Sequence, residues 1–120
     1  MLWLACLGGT FAQADDGELR AGERLFRSQC VGCHSVEPGV HLGGPSLHAL
    51  LGRPAGSLDD FDYSPALAGA ELTWDAPTLD AFLADPSGFL PGNRMVLWGL
   101  DERSRRAIVR YLESLDEPSD

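Results

Sequence analysis

The residues of this chain with the most distinctive chemistry are two cysteines and a histidine in the run CVGCH at positions 30–34. One helical turn presents both sulfur atoms on one side, and the histidine follows the second cysteine directly. Thiols in this pattern add across the vinyl groups of a haem to form thioethers, and the adjoining histidine is delivered to the iron. The CxxCH spacing therefore predicts one covalent haem c, attached through Cys30 and Cys33, with His34 as an iron ligand.

Two other uses of a CxxC pair compete with haem attachment. A redox-active dithiol normally follows a strand in a βαβ unit, whereas the segment before Cys30 has a helical pattern. A zinc site needs two further ligands in a similar arrangement. The third cysteine is Cys6, and the spacing of His41 and His48 does not resemble a zinc module. Haem attachment is the interpretation that these motifs favour.

A haem iron that carries electrons needs a second axial ligand, and the chain has two methionines, Met1 and Met95. A core methionine usually lies on the periodic apolar stripe of a helix, where it fills gaps. Met95 instead follows a Pro-Gly loop, and thioether ligation accounts for that position. His41 and His48, both in a glycine-rich segment, are the alternative ligands. On ligand chemistry we favour Met95.

The composition is that of a small acidic domain. The 120 residues include 18 acidic and nine basic side chains, with a formal net charge of −9, and every basic residue is an arginine. This balance argues against nucleic acid as a partner, because phosphate binding requires a basic surface. With 44% hydrophobic residues the chain is neither disordered nor embedded in a membrane. Its length fits a single domain, for which about 100–200 residues is usual.

Residues 1–14 are typical of a secretory signal peptide in several respects. They carry no charge, are apolar over residues 2–7, and end in the small-x-small sequence AQA before Asp15. The segment is too short to cross a membrane, which takes about 20 residues, and it lacks the usual basic first region. We expect cleavage after Ala14, which leaves residues 15–120 as one domain in the periplasm or another extracytoplasmic compartment.

Three segments predict the helices that position these residues. Apolar side chains recur at three- and four-residue spacing over residues 16–29 and over residues 101–115, which is the clearest helix. Between them, Asp75 provides a cap for a helix that Pro86 stops. The predicted buried face of this middle helix consists of Leu79, Phe82 and Leu83. The buried stripe of the last helix is predicted to contain Ala107, Ile108, Tyr111, Leu112 and Leu115.

The segments between these helices are long and irregular. Residues 36–56 are rich in glycine and proline, with a short helix expected over residues 45–51, and a turn is expected over residues 63–66. No segment shows the alternation of a strand. Loops this long are uncommon in a small domain unless something orders them, and a large apolar ligand would do so. The predicted fold is an all-α single domain, with three main helices, short helical turns and long loops wrapped around one covalent haem.

Further motifs follow CxxCH in a definite order. They are Gly44-Pro45-x-Leu47, Gly52-Arg53, Tyr63-Ser64-x-Ala66, Trp74 and Pro91-Gly92-x-x-Met95. Together they resemble the class I c-type cytochromes, of the mitochondrial cytochrome c and bacterial cytochrome c2 type. The likeness covers residues 17–115. It implies a cytochrome c domain that cycles between Fe(II) and Fe(III) as a soluble one-electron carrier and not as an enzyme.

The resemblance implies a role for each residue that matches the family's pattern. His34 and Met95 match the two axial ligands. Pro45 matches the proline whose carbonyl accepts a hydrogen bond from the ring N–H of the iron-bound histidine, a contact that fixes the ring and tunes the metal. The donors that hold the buried haem propionate are matched by Arg53, Tyr63 and Trp74. His41 matches a histidine that braces a loop.

Other positions match the family's packing or depart from it. In the family the first helix crosses the last one, and the residues that match the positions at this crossing are Gly22, Phe26, Ile108 and Tyr111. Phe82 stands where a tyrosine is usual, and Leu67 replaces an asparagine beside the haem. Asn93 and Arg94 replace Thr-Lys before the methionine, and Leu97, followed by Trp98, replaces a phenylalanine at the haem edge. These departures affect the reduction potential and remove no ligand.

The resemblance also implies partners, namely redox proteins such as a bc1-type complex, an oxidase, a dehydrogenase or a reductase. Mitochondrial cytochromes c dock through a ring of lysines, and this chain has none. We therefore expect a monomer whose partner has a basic or largely apolar docking face. The main alternative function is that of a dedicated electron-transfer subunit of one dehydrogenase or oxidase. A haem peroxidase or ligand sensor with an open sixth position is less favoured.

Overall fold

The computed structural model describes residues 10–116, with side chains from residue 16 onward. Within this range the chain forms five helices and no strand, apart from one isolated bridge between Pro54 and Thr73. The helices are α1 (Thr10–Gln29), α2 (Pro65–Ala68), α3 (Ala76–Ala84), α4 (Pro86–Phe89) and α5 (Glu102–Asp116). The all-α prediction is confirmed, and the three predicted helices correspond to α1, α3 and α5.

The predicted leader falls mostly outside the described residues. Residues 1–9 lie outside them, and residues 10–14 form the start of α1. Cleavage after Ala14 therefore stays a prediction. In the part of the chain that the structure covers, no helix has the length and apolar character needed to cross a membrane.

α3 begins and ends where local sequence signals place its ends. The Asp75 carboxylate accepts a hydrogen bond from the Thr78 N–H at 2.9 Å, and the Thr78 hydroxyl accepts one from the Asp75 N–H at 2.9 Å. This reciprocal capping box satisfies two backbone donors at the helix start. The residue before Pro86 is pushed out of the helical region, and Asp85 has φ −159° and ψ 83°. The buried residues of α3 are the three predicted ones, Leu79, Phe82 and Leu83.

α2 and α4 are one-turn helices that the sequence pattern did not separate from the loops. The Ser64 hydroxyl accepts from the Leu67 N–H at 3.2 Å at the start of α2, where a turn was predicted. The Asp85 carboxylate accepts from the Gly88 N–H at 3.1 Å at the start of α4. Each helix has proline in its first position, where the missing N–H costs nothing.

The short helix predicted over residues 45–51 is wrong, because this segment forms two turns. The Ser46 hydroxyl accepts from the His48 N–H at 3.2 Å and donates to the Glu37 carbonyl at 2.6 Å. These bonds tie the backbone to a loop instead of to a helical ladder. Ala49 then has φ +52°, a left-handed conformation that ends any right-handed helix.

α1 and α5 pack closely against each other and form the scaffold of the domain. The rings of Phe26 and Tyr111 lie with their centroids 5.5 Å apart. At Gly22 a Cβ atom would overlap the Ala107 carbonyl oxygen and lie 2.8 Å from the Tyr111 Cβ. The crossing that the resemblance implied is therefore present, and the absence of a side chain at Gly22 permits it.

The buried face of α5 differs from the predicted stripe at three positions, one of which is Tyr111, which is only partly buried. Val109 is buried, because α3 also packs on α5 and widens its buried face. Leu115 lies one residue before the end of the helix and stays 42% exposed, so its predicted burial is wrong. The buried residues of α5 are Ala107, Ile108, Val109 and Leu112.

Replacing Gly22 by alanine places a methyl group against the Ala107 carbonyl and pushes α1 and α5 apart. We expect the free energy of unfolding to fall by roughly 1–3 kcal/mol, the usual cost of overpacking. Chemical denaturation of the purified protein measures this loss. Gly17→Ala is the matched control, because it lies on the same helix and an added Cβ meets nothing within 4 Å. A Gly22→Ala variant as stable as the wild type would contradict the close crossing.

Candidate cofactor site

A cavity of about 270 Å³ lies among the buried side chains of the core. Its walls come from the turn after α1, from the loops at residues 43–53 and 61–64, from α3, from residues 93–96 and from α5. All eight site residues predicted from the sequence line it, and they are Cys30, Cys33, His34, Pro45, Arg53, Tyr63, Trp74 and Met95. Residues far apart in sequence thus meet at one place, while the roles assigned to them stay predictions.

The CxxCH segment continues α1 by one more turn. The Cys30 N–H donates to the Phe26 carbonyl at 2.8 Å, and the His34 N–H donates to the Cys30 carbonyl at 2.9 Å. Both spacings are those of an α-helix, so the turn presents two thiols and an imidazole to the cavity. Cys30 is buried, and that burial, with the neighbouring Cys33, raises the pKa of its thiol to about 11.

The His34 imidazole is fixed by a hydrogen bond and by close packing. Its Nδ1 lies 2.8 Å from the Pro45 carbonyl, and because a carbonyl only accepts, Nδ1 carries the proton. The lone pair of Nε2 is then the one that can bind a metal. Burial lowers the pKa of His34 against the opposing effect of the Pro45 bond, which keeps the ring in the neutral, metal-binding form.

Gly44 packs directly on the His34 ring. A Cβ at Gly44 would lie 2.7 Å from Nδ1 and 2.8 Å from Nε2 of His34, too close for any side chain. In the sequence Gly44 stands out only as part of a motif, and its contact with His34 was not predicted. The signal for it was the glycine that immediately precedes Pro45.

Met95 is held in a loop that Asn93 braces. The Asn93 amide donates to the carbonyls of Pro86 and Leu90, both at 2.8 Å, and its oxygen accepts from the Met95 N–H at 2.9 Å. The Met95 side chain is partly buried against the core and lines the cavity. Asn93 was noted in the sequence only as a replacement for threonine, so its bracing role was missed.

Three hydrogen-bond donors line another part of the cavity wall. The Arg53 guanidinium donates to two backbone carbonyls of the preceding loop at 3.0 and 3.1 Å. Trp74 is 6% exposed, with its ring centroid 5.3 Å from that of Phe82. Together with the Tyr63 hydroxyl these groups offer a guanidinium, an indole N–H and a phenol, which suits a carboxylate.

The two histidines considered as alternative distal ligands do not line the cavity. His48 is exposed. The His41 Nδ1 accepts from the Ser46 N–H at 3.0 Å, and its Nε2 lies 2.8 Å from the Asp60 carboxylate. His41 thus bonds the Ser46 backbone through Nδ1 and lies against Asp60 through Nε2, as a loop-bracing histidine would.

The residues around the cavity fit a haem c. The wall is largely apolar, with buried side chains such as Leu50, Phe82 and Ile108, and it holds two thiols, an imidazole and a thioether sulfur. These are the groups that attach and ligate a haem. Among the described residues, no group of three or more His, Cys, Asp or Glu side chains is placed to hold a metal ion, so the zinc alternative gains no support.

Comparison with known proteins gives a consistent set of matches. Residues 17–112 match the family described as "Cytochrome C oxidase, cbb3-type, subunit III". A cytochrome c from Chlamydomonas reinhardtii is 42% identical over 106 residues, which covers 87% of this chain and 95% of that protein. The cytochrome c2 iso-2 of Magnetospirillum fulvum is 49% identical over 87 residues, 72% of this chain and 91% of that protein. A cytochrome c from Ginkgo biloba is 37% identical over 106 residues, 87% and 94% of the two chains.

Replacing Asn93 by alanine removes three hydrogen bonds from the loop that holds Met95. We expect the free energy of local opening to fall by about 1–3 kcal/mol, since each net hydrogen bond contributes about 0.5–1.5 kcal/mol. Amide hydrogen exchange at Met95 measures it. Arg94→Ala is the matched control, because Arg94 is exposed and its carboxylate partner lies 4.0 Å away. Unchanged exchange at Met95 in the Asn93 variant would contradict the bracing role.

Proposed function

The chain belongs to the cytochrome c family, of the cytochrome c and cytochrome c2 type, and we propose on that premise that it is a one-electron carrier with a single haem c. One observation carries the proposal. The CxxCH turn after α1 and the Met95 loop after α4 line the same apolar cavity, although more than half of the described chain separates them. That cavity brings together two thiols, an imidazole and a thioether sulfur, which supports haem attachment at the turn and two iron ligands of different chemistry.

We propose that Cys30 and Cys33 hold the haem. Each S–H adds across a vinyl C=C bond, so that sulfur and hydrogen both end on the former vinyl group and nothing leaves. A haem bound in this way supplies an iron that exchanges one electron between Fe(II) and Fe(III). The turn of backbone that joins the two cysteines fixes the position of His34, since the His34 N–H bonds to the Cys30 carbonyl.

His34 and Met95 are the side chains that would ligate the haem iron. The His34 Nδ1–H bond to the Pro45 carbonyl orients the ring and leaves Nε2 for the iron. Met95 offers a thioether sulfur, a soft ligand that favours the ferrous state and raises the reduction potential. Asn93 keeps this sulfur at the cavity, because it bonds both the Met95 N–H and the carbonyl of Leu90 at the end of α4.

Arg53, Tyr63 and Trp74 are proposed to hold a haem propionate. A carboxylate taken out of water without partners is costly, and these three side chains bring donors to the cavity wall. Burial keeps the charge of the Arg53 guanidinium poorly solvated and lowers its pKa, which an anionic partner would offset. The partner anion and this cation would then stabilise each other.

We propose that docking occurs beside the Met95 loop. Val96 and Trp98 are 91% and 96% exposed, and they directly follow the methionine that lines the cavity. With a formal net charge of −9 and no lysine, the chain cannot present the lysine ring of mitochondrial cytochromes c. This exposed apolar surface on an acidic chain supports a partner with a basic or largely apolar docking face. Such a partner could be a bc1-type complex, an oxidase, a dehydrogenase or a reductase.

The proposed location is the periplasm or another extracytoplasmic compartment. It rests on the predicted leader at residues 1–14, whose charge-free apolar stretch and AQA sequence fit secretion. A monomer is the proposed state. N-terminal sequencing of the protein from its native membrane-free fraction tests the leader, and a start at Asp15 is the expected result.

A dedicated oxidase subunit is the second candidate function. The match to a family described as subunit III of a cbb3-type oxidase favours it. The length of the matches favours the free carrier, since they span 95% of the Chlamydomonas reinhardtii cytochrome c and 91% of the Magnetospirillum fulvum cytochrome c2. Tight, stoichiometric co-purification with one enzyme would show that the protein is a dedicated subunit and not a free carrier.

Replacing Met95 by histidine exchanges a soft ligand for one that favours the ferric state. We expect the reduction potential to fall by more than about 59 mV, a tenfold change in the one-electron equilibrium. Spectroelectrochemical titration measures it. His48→Gln is the control, because His48 is exposed outside the cavity and its loss should leave the potential unchanged. An unchanged potential in the Met95 variant would remove Met95 as the ligand.

The charge of the chain predicts how electron exchange with small complexes depends on salt. The cationic tris(phenanthroline)cobalt(III) should oxidise the reduced protein faster at low salt, and the rate should fall roughly tenfold as salt rises. The anionic hexacyanoferrate(III) should show the opposite trend. Stopped-flow kinetics at several ionic strengths measure both. A hexacyanoferrate rate that falls with salt would instead reveal a local patch of arginines at Arg27, Arg53 and Arg94.

A further inference from the structure

A continuous series of hydrogen-bonding groups leads from His34 to a carboxylate at the surface. The His34 Nδ1 lies 2.8 Å from the Pro45 carbonyl oxygen. The Ser46 N–H donates to the His41 Nδ1 at 3.0 Å. The His41 Nε2 lies 2.8 Å from the Asp60 carboxylate. One peptide group and one side chain, that of His41, thus connect the proposed proximal ligand with Asp60.

The first two of these contacts are made by one peptide group. The Pro45 carbonyl and the Ser46 N–H are the two polar ends of the same planar, resonance-stabilised unit. Electron density pulled toward the carbonyl oxygen makes the N–H a better donor, and a stronger acceptor at the N–H makes the oxygen more negative. A change at His41 therefore reaches His34 without any movement of the backbone.

The donors and acceptors all run in one direction. A backbone N–H can only donate, so the His41 Nδ1 accepts from Ser46 and the ring proton lies on Nε2. The Asp60 carboxylate oxygen lies 2.8 Å from Nε2, and this contact with His41 holds the pKa of Asp60 below its usual range. Asp60 is therefore an anion at neutral pH, at the acceptor end of the series.

The packing around His41 and Ser46 keeps this geometry in place. The His41 side chain is 14% exposed, and its ring centroid lies 5.5 Å from that of Phe61. Phe61 in turn packs on Tyr63, with centroids 5.0 Å apart. Ser46 is 2% exposed, and its hydroxyl donates to the Glu37 carbonyl. These contacts make the connection a built feature and not a chance surface pair.

We propose that Asp60 and His41 are positioning residues that set the reduction potential by polarising His34 through the Pro45–Ser46 peptide group. The proposal rests on His34 being the iron ligand. The Asp60 anion strengthens His41 as an acceptor, which makes the Pro45 oxygen more negative and strengthens its bond from the His34 Nδ1–H. An imidazole whose N–H is held more strongly is the more basic ligand and stabilises the ferric state.

The test is Asp60→Asn in the haem-loaded protein, because asparagine keeps the size of the side chain and a polar oxygen beside His41 and removes the charge. We expect the reduction potential to rise, with roughly a two- to tenfold shift of the one-electron equilibrium toward the ferrous state. The His34 Nδ1–H proton of the reduced protein should move upfield in the NMR spectrum, because its hydrogen bond weakens. Voltammetry and ¹H NMR measure the two effects.

Asp62→Asn is the matched control. It removes the same charge two residues away, from a side chain that lines the cavity but lies outside the series. A through-space charge effect would raise the potential at least as much in the Asp62 variant as in the Asp60 variant. We expect a smaller rise for Asp62→Asn and no change in the His34 Nδ1–H shift. Equal rises, or an unmoved His34 proton in Asp60→Asn, overturn the proposal.

The same spectra separate this proposal from the proposed function. If His34 binds the haem iron, its ring protons in the reduced wild-type protein are shifted strongly upfield by the haem ring current. Their absence from that region contradicts the ligation itself. Their presence together with an unchanged Asp60→Asn variant leaves the electron carrier standing and overturns only the connection through His41.

Discussion

The close contact between Gly22 and Ala107 is the constraint on which the site depends. It fixes the angle and distance at which α1 crosses α5, and the last turn of α1 runs directly into Cys30, Cys33 and His34. A wider crossing would move the whole CxxCH turn away from the buried face of α5, where Ile108 and Leu112 line the cavity. A packing contact with no chemistry of its own thus decides where the chemical groups lie.

Side chains that bond to backbone order the long loops on the other side of the cavity. Ser46 and His41 join the loop that carries Pro45 to its neighbours, and Asn93 joins the Met95 loop to Leu90 at the end of α4. Each of these side chains replaces the ladder of hydrogen bonds that a helix or a strand would provide. The irregular backbone therefore has definite positions for Pro45 and Met95, which a ligand site requires.

Local signals explain what the sequence predicted, and contacts distant in sequence explain what it missed. Asp75, Thr78 and Pro86 lie within a few residues of the ends of α3, and the helix and its buried face were predicted correctly. The left-handed turn at Ala49 carries no glycine signal, so residues 45–51 were predicted as a helix. The roles of Gly44 and Asn93 depend on partners in the folded chain. Motif order, not periodicity, identified the residues that line the cavity.

The acidity of the chain has two separate consequences. Several carboxylates have structural partners nearby, such as Asp75 and Asp101, which cap α3 and α5 by accepting from Thr78 and Ser104. These groups remain charged, so they still add to the negative field that repels an acidic partner at long range. That field is screened over about 8 Å at physiological salt. At contact distance the local surface decides, and beside Met95 this surface includes the exposed apolar side chains of Val96 and Trp98.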